Sequence, residues 1–302
     1  MSAEEIHGEE TQDLIVSIII PVAKEGDSLF QRVASLSAAL GELTKGQGIT
    51  YEIILISDVL HKPTLKAMMK LAKMGMARAL FLTRRLGKGG SVKNAVRYAR
   101  GAYLVVLDAD VPVEPTVLHR AVLLAHRDKL DLVLANRRYR QHNLLRRSLS
   151  LTYNLLVNVL FRTGIKDHQA GFKILSRRAA EIILIERTRS DWLGYDTEII
   201  VWAKKYGFKY RVIDVVWKEQ RDRSTIMPFR AAMTMLADLI ALRLLTVANK
   251  YAALRMTAVG KVVDLATLKP LGDAYMTIIE ASGPKRILFA FLRKLYIAIA
   301  TK

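Results

Sequence analysis

The chain has 302 residues, of which 51% are apolar and 25% charged, and these proportions describe a globular protein rather than a disordered one. It contains no cysteine, which excludes disulfides, thiolate metal sites and thiol nucleophiles and fits a reducing cytosol. The net charge of +19 predicts attraction to polyanions such as phosphorylated substrates, anionic membranes or nucleic acid.

The first residues of the chain, MSAEEIHGEETQD (1–13), contain five acidic residues and no basic one, which is the opposite of a secretory signal peptide. We therefore expect a mobile acidic N-terminus there. No segment reaches the roughly eighteen uninterrupted apolar residues of a membrane span, because charged residues such as Asp238 and Arg293 interrupt the long apolar runs. The sequence predicts no transmembrane helix.

The first half of the sequence alternates predicted strands and helices. Short apolar, β-branched runs predict strands over 14–21, 51–57, 78–83, 102–110 and 130–137. Apolar residues at helical spacing predict helices over 27–43, 63–75, 91–101 and 113–128, the first with Asp27 as its N-cap. This alternation predicts an α/β fold with a mostly parallel sheet covered on both faces, and ligands of such sheets bind at the carboxyl ends of the strands.

After residue 137 the alternation becomes less regular. We predict a helix over 145–164, a loop over 166–176, a helix over 177–187 and a strand over 210–220, with a further segment at 191–207. From Met227 onward the sequence has the pattern of amphipathic helix. The predicted division is a catalytic domain over 14–226 and a helical C-terminal appendage over 227–302.

Two aspartates follow the buried run Leu104 to Leu107, one residue apart, at Asp108 and Asp110. Their charges repel each other unless a cation lies beside them, and oxygen ligands of this kind suit Mg²⁺ or Mn²⁺ bridging to a phosphate group. The alternative is solvated loop polarity, but the position at the end of a predicted parallel strand favours a metal site.

Several ordered motifs extend this interpretation. They are VSIIIPVAKE (16–25), GKGGSVKNAVRYARGAYLVVLDAD (87–110), RRSLSLTYN (146–154), DHQAGFK (167–173), YDTEII (195–200) and RDRSTI (221–226). In their order and spacing they resemble the family 2 inverting glycosyltransferases of the GT-A fold, and most of all the dolichyl-phosphate (polyprenyl-phosphate) mannose or glucose synthases. The resemblance covers roughly residues 14–226.

The resemblance implies roles for particular residues. The implied metal ligands are Asp108 and Asp110. The implied catalytic set consists of these two residues together with Asp167 and Glu198. The implied contacts to the nucleotide-sugar donor are Pro21, Glu25, Asp58, Lys88, Asp108 and Ala109. Guanidinium groups bind phosphate in a bidentate fork, and the implied contacts to an acceptor phosphate are Arg137, Arg138, Arg147, Ser150, Arg223 and Ser224.

The resulting hypothesis is a metal-dependent inverting transferase that moves mannose or glucose from GDP-mannose or UDP-glucose to dolichyl or polyprenyl phosphate. A phosphate monoester is already anionic near neutral pH, so this reaction needs no general base. Alternatives are a soluble or glycan acceptor, or an inactive scaffold or regulatory protein. Nucleic acid is not an expected partner, because the basic residues lack interleaved aromatics.

The sequence departs from the family pattern at four places, and one of them is the segment PVAKE (21–25), which lacks the aromatic-Asn pair usually found before the glutamate. Ser57 replaces the first aspartate of the pair that normally ends the second strand, Pro112 replaces a polar residue expected beside the metal, and Ala170 replaces a cysteine. These departures leave the donor nucleotide, GDP or UDP, open. They also keep the inactive relative in consideration.

The C-terminal residues 285–302 place basic pairs, such as Lys285/Arg286 and Arg293/Lys294, on one face of a predicted helix beside a broad apolar surface. At 1.5 Å per residue, positions 285–300 span about 24 Å, less than a bilayer core. This pattern is typical of an interfacial helix on an anionic membrane, here the cytoplasmic face. The alternatives are packing on the catalytic domain, on a second copy or on a membrane-anchoring subunit.

Overall fold

A seven-stranded sheet organises the part of the chain that this computed structural model describes, residues 14–138, 144–217 and 234–247. Its strands are β1 (Leu14–Val22), β2 (Ile49–Ser57), β3 (Arg78–Phe81), β4 (Tyr103–Leu107), β5 (Leu132–Arg138), β6 (Phe172–Ser176) and β7 (Tyr210–Val216). Their order across the sheet is β3-β2-β1-β4-β6-β5-β7. Strand β6 is antiparallel to its neighbours β4 and β5, while the remaining pairs are parallel. The predicted mostly parallel α/β sheet is confirmed.

Helices cover both faces of this sheet. Their bounds are α1 (Ser28–Leu43), α2 (Lys62–Lys73), α3 (Gly87–Val96), α4 (Pro115–Arg127), α5 (Leu144–Phe161), α6 (Arg177–Ala179), which continues as a π-helical segment (Ala180–Arg187), α7 (Tyr195–Lys205) and α8 (234–247). Among the described residues, none of these helices is both long and apolar enough to cross a membrane.

Two hydrophobic layers sandwich the sheet, and β4 contributes to both. Its side chains alternate between faces, so Val105 and Leu107 pack with α1, α2 and α4, whereas Leu104 and Val106 pack with α3, α7 and the π-helical segment. Burial on both faces explains why β4 reads as an uninterrupted apolar run. Leu242 of α8 belongs to the second layer, so this part of the predicted appendage packs directly on the sheet domain.

Two predictions about local structure were wrong. The loop predicted over 166–176 contains the five-residue strand β6, which was missed because polar residues precede it in the sequence. The helix predicted to begin at residue 91 begins at Gly87, so the glycine-rich stretch before residue 91 forms the first turn of α3. A Cβ at Gly89 would lie 2.8 Å from the Tyr195 side chain and 2.9 Å from the carbonyl oxygen of Ser190, so these glycines permit close packing against the loop before α7.

Candidate active site

The predicted metal residues lie at the carboxyl edge of the sheet, directly after β4. The amide of Asp108 donates to the carbonyl oxygen of Gly171, 3.1 Å away, just before β6 begins. A Cβ on Gly171 would lie 1.7 Å from Oδ2 of Asp108. Glycine at 171 is therefore required for the carboxylate of Asp108 to occupy this position. The following Ala109 is buried, and Val111 adopts a left-handed backbone conformation with φ 48°.

The two carboxylates experience different environments. Burial would raise the pKa of Asp108, but the ammonium group of Lys88 and nearby cations hold it below its usual range. Burial and the charge of Asp108 raise the pKa of Asp110 to about 6. Oδ1 of Asp110 is buried without a hydrogen-bond partner. A buried, unsatisfied carboxylate oxygen beside a second carboxylate is the donor set that a hard divalent cation would satisfy.

Lys88 extends from the first turn of α3 to this pair. Its Nζ lies 2.7 Å from Oδ1 of Asp108 and 3.6 Å from Oδ2 of Asp196 on α7. Burial would lower the pKa of Lys88, but these carboxylates raise it well above its ordinary value. Asp196 also accepts a hydrogen bond of 2.6 Å from Nζ of Lys173 on β6, a lysine that is 1% exposed.

The residues Asp196 and Lys173 were not among the predicted site residues. Both lie inside motifs singled out in the sequence, YDTEII and DHQAGFK, but the motif alone pointed to Glu198 as the acidic residue. The sequence neighbours of Lys173 are mostly apolar, and they do not indicate that Lys173 pairs with Asp196, 23 positions away.

Arg137 was predicted as an acceptor contact and Asp167 as a member of the catalytic set, and the two residues are paired with each other. Nε and one terminal nitrogen of Arg137 donate to the two oxygens of Asp167 over 2.6 and 2.9 Å, and the guanidinium lies 5.2 Å from the ring centroid of Trp217. Coulombic attraction to Asp167, Asp108 and Asp196 keeps the pKa of Arg137 raised although burial opposes it. The pair thus places a fixed cation near Asp108.

The loop before β6 is held by a buried network. Nδ1 of His168 lies 2.7 Å from the side-chain oxygen of Asn154, and its Nε2 lies 2.7 Å from the hydroxyl of Thr163. Burial and Lys173 lower the pKa of His168 to about 4, so the ring is neutral at physiological pH. His168 is thus a structural residue that holds the loop in which Asp167 lies.

The other predicted acceptor residues are more dispersed. Arg138 is exposed and pairs with Asp214 of β7 over 2.6 Å. The backbone carbonyl of Ser150 on α5 accepts from Asn154. Arg147 lies on α5, but its side chain is outside the described residues, as are Arg223 and Ser224 entirely.

The predicted donor residues lie after β1 and β2. Pro21 pairs with Ile56 in the β1–β2 register, and the carboxylate of Glu25 accepts from the amide of Ala23 over 2.6 Å, with its pKa raised by burial. Oδ2 of Asp58 accepts from the amides of Leu86 and Gly87. Asp58 therefore caps the N-terminus of α3, the helix that carries Lys88.

Glu198 is occupied by backbone contacts. Its two carboxylate oxygens accept from the amides of Arg189 and Ser190 over 2.7 and 2.9 Å, and the residue is buried. These contacts indicate that Glu198 holds the loop before α7, which packs against the glycines of α3. The catalytic role that the resemblance implies for Glu198 stays a prediction.

The sheet topology and the acidic and basic residues at its carboxyl edge define a GT-A-like α/β protein. Among solved structures, glucosyl-3-phosphoglycerate synthase from Mycobacterium tuberculosis in complex with Mn²⁺, uridine-diphosphate and glucosyl-3-phosphoglycerate is similar with a TM-score of 0.58 and 13% sequence identity, over 76% of this chain and 79% of that chain. This likeness shows the fold.

Sequence comparison defines the family. The Glycosyl transferase family 2 profile matches residues 17–184, and the chain belongs to that family. Curated relatives include dolichyl-phosphate beta-glucosyltransferases from Dictyostelium discoideum, 28% identical over 76% of this chain and 74% of the relative, and from Mus musculus, 28% identical over 76% and 75%. The protein is a glycosyltransferase.

Proposed function

We propose that this glycosyltransferase moves glucose from a nucleotide-sugar, in a reaction that requires a divalent metal, to dolichyl or another polyprenyl phosphate with inversion at the anomeric carbon. The observation that carries the proposal is the pairing of opposite charges at one edge of the sheet. The carboxylates of Asp108 and Asp110 both lie within the electrostatic reach of Lys88, and Asp108 also lies within that of Arg137. Such a site accommodates both a metal-bound diphosphate and an anionic acceptor.

Asp108 and Asp110 would hold a divalent cation, Mg²⁺ or Mn²⁺, whose chemistry when bound is to neutralise the charge of the departing nucleoside diphosphate. Within the described residues no group of three or more His, Asp or Glu side chains converges to hold a metal. The diphosphate oxygens and water would therefore complete the coordination. Lys88 would add a positive charge on the same leaving group.

The acceptor phosphate acts as the nucleophile in this proposal. One of its oxygens forms a bond to the anomeric carbon while the bond from that carbon to the diphosphate breaks, and no proton has to be removed from the acceptor. This fits Asp167, whose two oxygens are both engaged by Arg137. Asp167 thus positions Arg137 toward the phosphate, with Arg138, Arg147 and Ser150 as further proposed contacts.

A lipid acceptor also explains an exposed apolar row on α5. Leu151, Leu155 and Val159 are 62%, 65% and 67% exposed, and their spacing of four residues places them on one face of the helix. The polyprenyl chain or the membrane surface would cover this row. We propose a peripheral position on the cytoplasmic face of a membrane, with the predicted helices of 227–302 as additional contacts.

Glucose is the proposed sugar because the curated relatives are named dolichyl-phosphate beta-glucosyltransferases. The full-length protein would be supplied with polyprenyl phosphate, Mn²⁺ or Mg²⁺, and labelled UDP-glucose or GDP-mannose in separate reactions. We expect label from UDP-glucose in the organic phase, and a loss of roughly 100-fold in Asp110→Asn. Asp128→Asn, a surface aspartate paired with Arg127, should retain full activity. Label only from GDP-mannose would reject glucose as the sugar, and label from neither donor would reject the lipid-phosphate acceptor.

A further inference from the structure

A row of four alternating charges runs from the protein interior to the site. Lys173 pairs with Oδ1 of Asp196 over 2.6 Å, Oδ2 of Asp196 lies 3.6 Å from Nζ of Lys88, and that nitrogen lies 2.7 Å from Oδ1 of Asp108. Lysine is almost never fully buried without a partner. The buried pair of Lys173 and Asp196 is therefore part of the structure of the site, although the proposed chemistry gives it no role.

The outer contact conflicts with the proposed metal site. Lys88 and a divalent cation on Asp108 would be like charges at close range, and like charges repel each other strongly where protein shields them from water. Lys88 must therefore leave Asp108 when the cation binds. Lys88 can reach the carboxylate of Asp196 by a movement of the lysine side chain alone, because its Nζ already lies 3.6 Å from Oδ2 of Asp196.

We propose that Lys88 occupies the place of the divalent cation on Asp108 before the donor binds, and that it transfers to Asp196 when the cation arrives with the nucleotide-sugar. This exchange rests on the proposed function, because it assumes that Asp108 is a metal ligand. Asp196 thus serves as a positioning residue for Lys88, and it keeps the displaced ammonium group close to the diphosphate.

Two further contacts support the exchange. Lys173 is itself fixed, since its Nζ also donates to the carbonyl oxygen of Ala170 over 2.6 Å. It therefore holds one oxygen of Asp196 and leaves the other directed toward Lys88. The backbone of α3 is held by close packing, as the missing space for a Cβ at Gly89 shows. The side chain of Lys88 is then the part of the helix turn that moves.

The test measures the binding of Mn²⁺ to the full-length protein in the absence of donor and acceptor, and electron paramagnetic resonance monitors the binding. We expect Lys88→Met to bind Mn²⁺ roughly tenfold more tightly than wild type, because a competing cation within 4–6 Å is removed. Asp196→Asn should weaken binding by a similar factor, because Lys88 then has no alternative partner. Lys93→Met is the matched control on α3, since Lys93 pairs with Asp191, and should bind as wild type does.

The double variant separates an exchange from a general effect of charge. In the Lys88→Met background, Asp196→Asn should change Mn²⁺ affinity by less than about twofold. An equal weakening in both backgrounds would overturn the inference, as would wild-type or absent Mn²⁺ binding in Lys88→Met. Circular dichroism identifies any variant that fails to fold, and the Lys88→Met result then decides alone. Tighter Mn²⁺ binding without any lipid-linked product would support the exchange and reject the proposed acceptor.

Discussion

Gly171 is the residue that most directly determines where the carboxylate of Asp108 lies. A Cβ at this position would meet Oδ2 of Asp108 at 1.7 Å, and the backbone carbonyl of Gly171 already accepts from the amide of Asp108. The two residues are 63 positions apart in the chain, so the sequence does not reveal the contact. The glycine was recognisable only as part of the motif DHQAGFK.

We predict that Gly171→Ala lowers the transfer rate by roughly 10- to 100-fold, because it displaces a carboxylate that must be placed within about 1 Å. The matched control is Gly41→Ala on α1, where a Cβ meets nothing within 4 Å and alanine is intrinsically favoured in a helix. Initial rates and thermal unfolding would be measured for both variants. Equal activity of Gly171→Ala and wild type would contradict the described position of Asp108.

Asp238 on α8 is a partly buried acid outside the proposed chemistry. Its Oδ2 lies 2.8 Å from the hydroxyl of Ser190, which donates to it. Burial, together with the nearby charges of Glu198 and Asp191, raises the pKa of Asp238 to about 7. Because the folded pKa lies above the unfolded value, the stabilising contribution of Asp238 is complete below pH 3.8 and is lost as the pH rises through about 7.

We predict that Asp238→Asn is more stable than wild type at pH 8 and that the advantage shrinks steadily as the pH falls toward 4. Linkage sets an upper limit of about 4 kcal/mol at pH 8, and asparagine retains an oxygen that accepts from Ser190. Thermal unfolding of both proteins across this pH range measures the difference. An advantage that does not change with pH would show that Asp238 is already ionised in the folded protein at low pH.

At the scale of elements, the N-terminus of α3 depends on a carboxylate from another strand. Asp58 follows β2 and accepts from the amides of Leu86 and Gly87, which places a negative charge at the positive end of the helix dipole. By contrast, Asp27 occupies the N-cap position of α1 and makes no side-chain capping hydrogen bond. The predicted position of Asp27 was right, but its side chain does not cap the helix.

We predict that Asp58→Ala lowers stability by about 1–2 kcal/mol and that Asp27→Ala changes it by less than about 0.5 kcal/mol. Urea unfolding of the ligand-free proteins compares the two aspartates directly. A similar loss in both variants would mean that the contacts of Asp58 do not stabilise α3.

The sequence pattern was informative for most elements because their side chains follow a single period. Strands β1, β2, β4 and β5 are buried apolar runs, and their positions were predicted to within a few residues. The start of α3 and strand β6 were missed for physical reasons. Glycines lower helix propensity although close packing requires them here, and β6 contains the buried Lys173, whose charge is compensated by α7 rather than by solvent.

At the scale of the whole molecule, the net charge of +19 and the exposed apolar row on α5 support the proposed contact with an anionic membrane surface. The sequence predicted the electrostatic part of this preference. It did not predict the row, because exposure of Leu151, Leu155 and Val159 depends on how α5 packs on the sheet.

We predict that the protein sediments with anionic phospholipid vesicles at low salt, is released at high salt, and binds neutral vesicles weakly. Leu155→Glu should reduce binding to anionic vesicles roughly fivefold or more. Met69→Glu, which changes an exposed apolar residue on α2, is the matched control and should have little effect. Equal losses in both variants would reject the row on α5 as the membrane contact.

The sequence located the acidic residues that follow β4, but it did not reveal which residues pair with one another at the site. Asp108 and Asp110 were predicted from local pattern, whereas the pairs Lys88–Asp196 and Arg137–Asp167 join segments that only the folded sheet brings together. For Asp167 the folded structure shows both carboxylate oxygens accepting from Arg137, which supports a positioning role.

The proposed reaction is direct attack by a lipid phosphate on the sugar, and the anomeric configuration of the product distinguishes it from other mechanisms. Purified protein would convert UDP-glucose, an α-linked donor, with polyprenyl phosphate, and the proton coupling at the anomeric carbon would be measured by NMR. We predict a β-linked glucosyl phosphate lipid, because a single displacement inverts the configuration at the anomeric carbon. An α-linked product, or glucose transferred only to water-soluble acceptors, would contradict it.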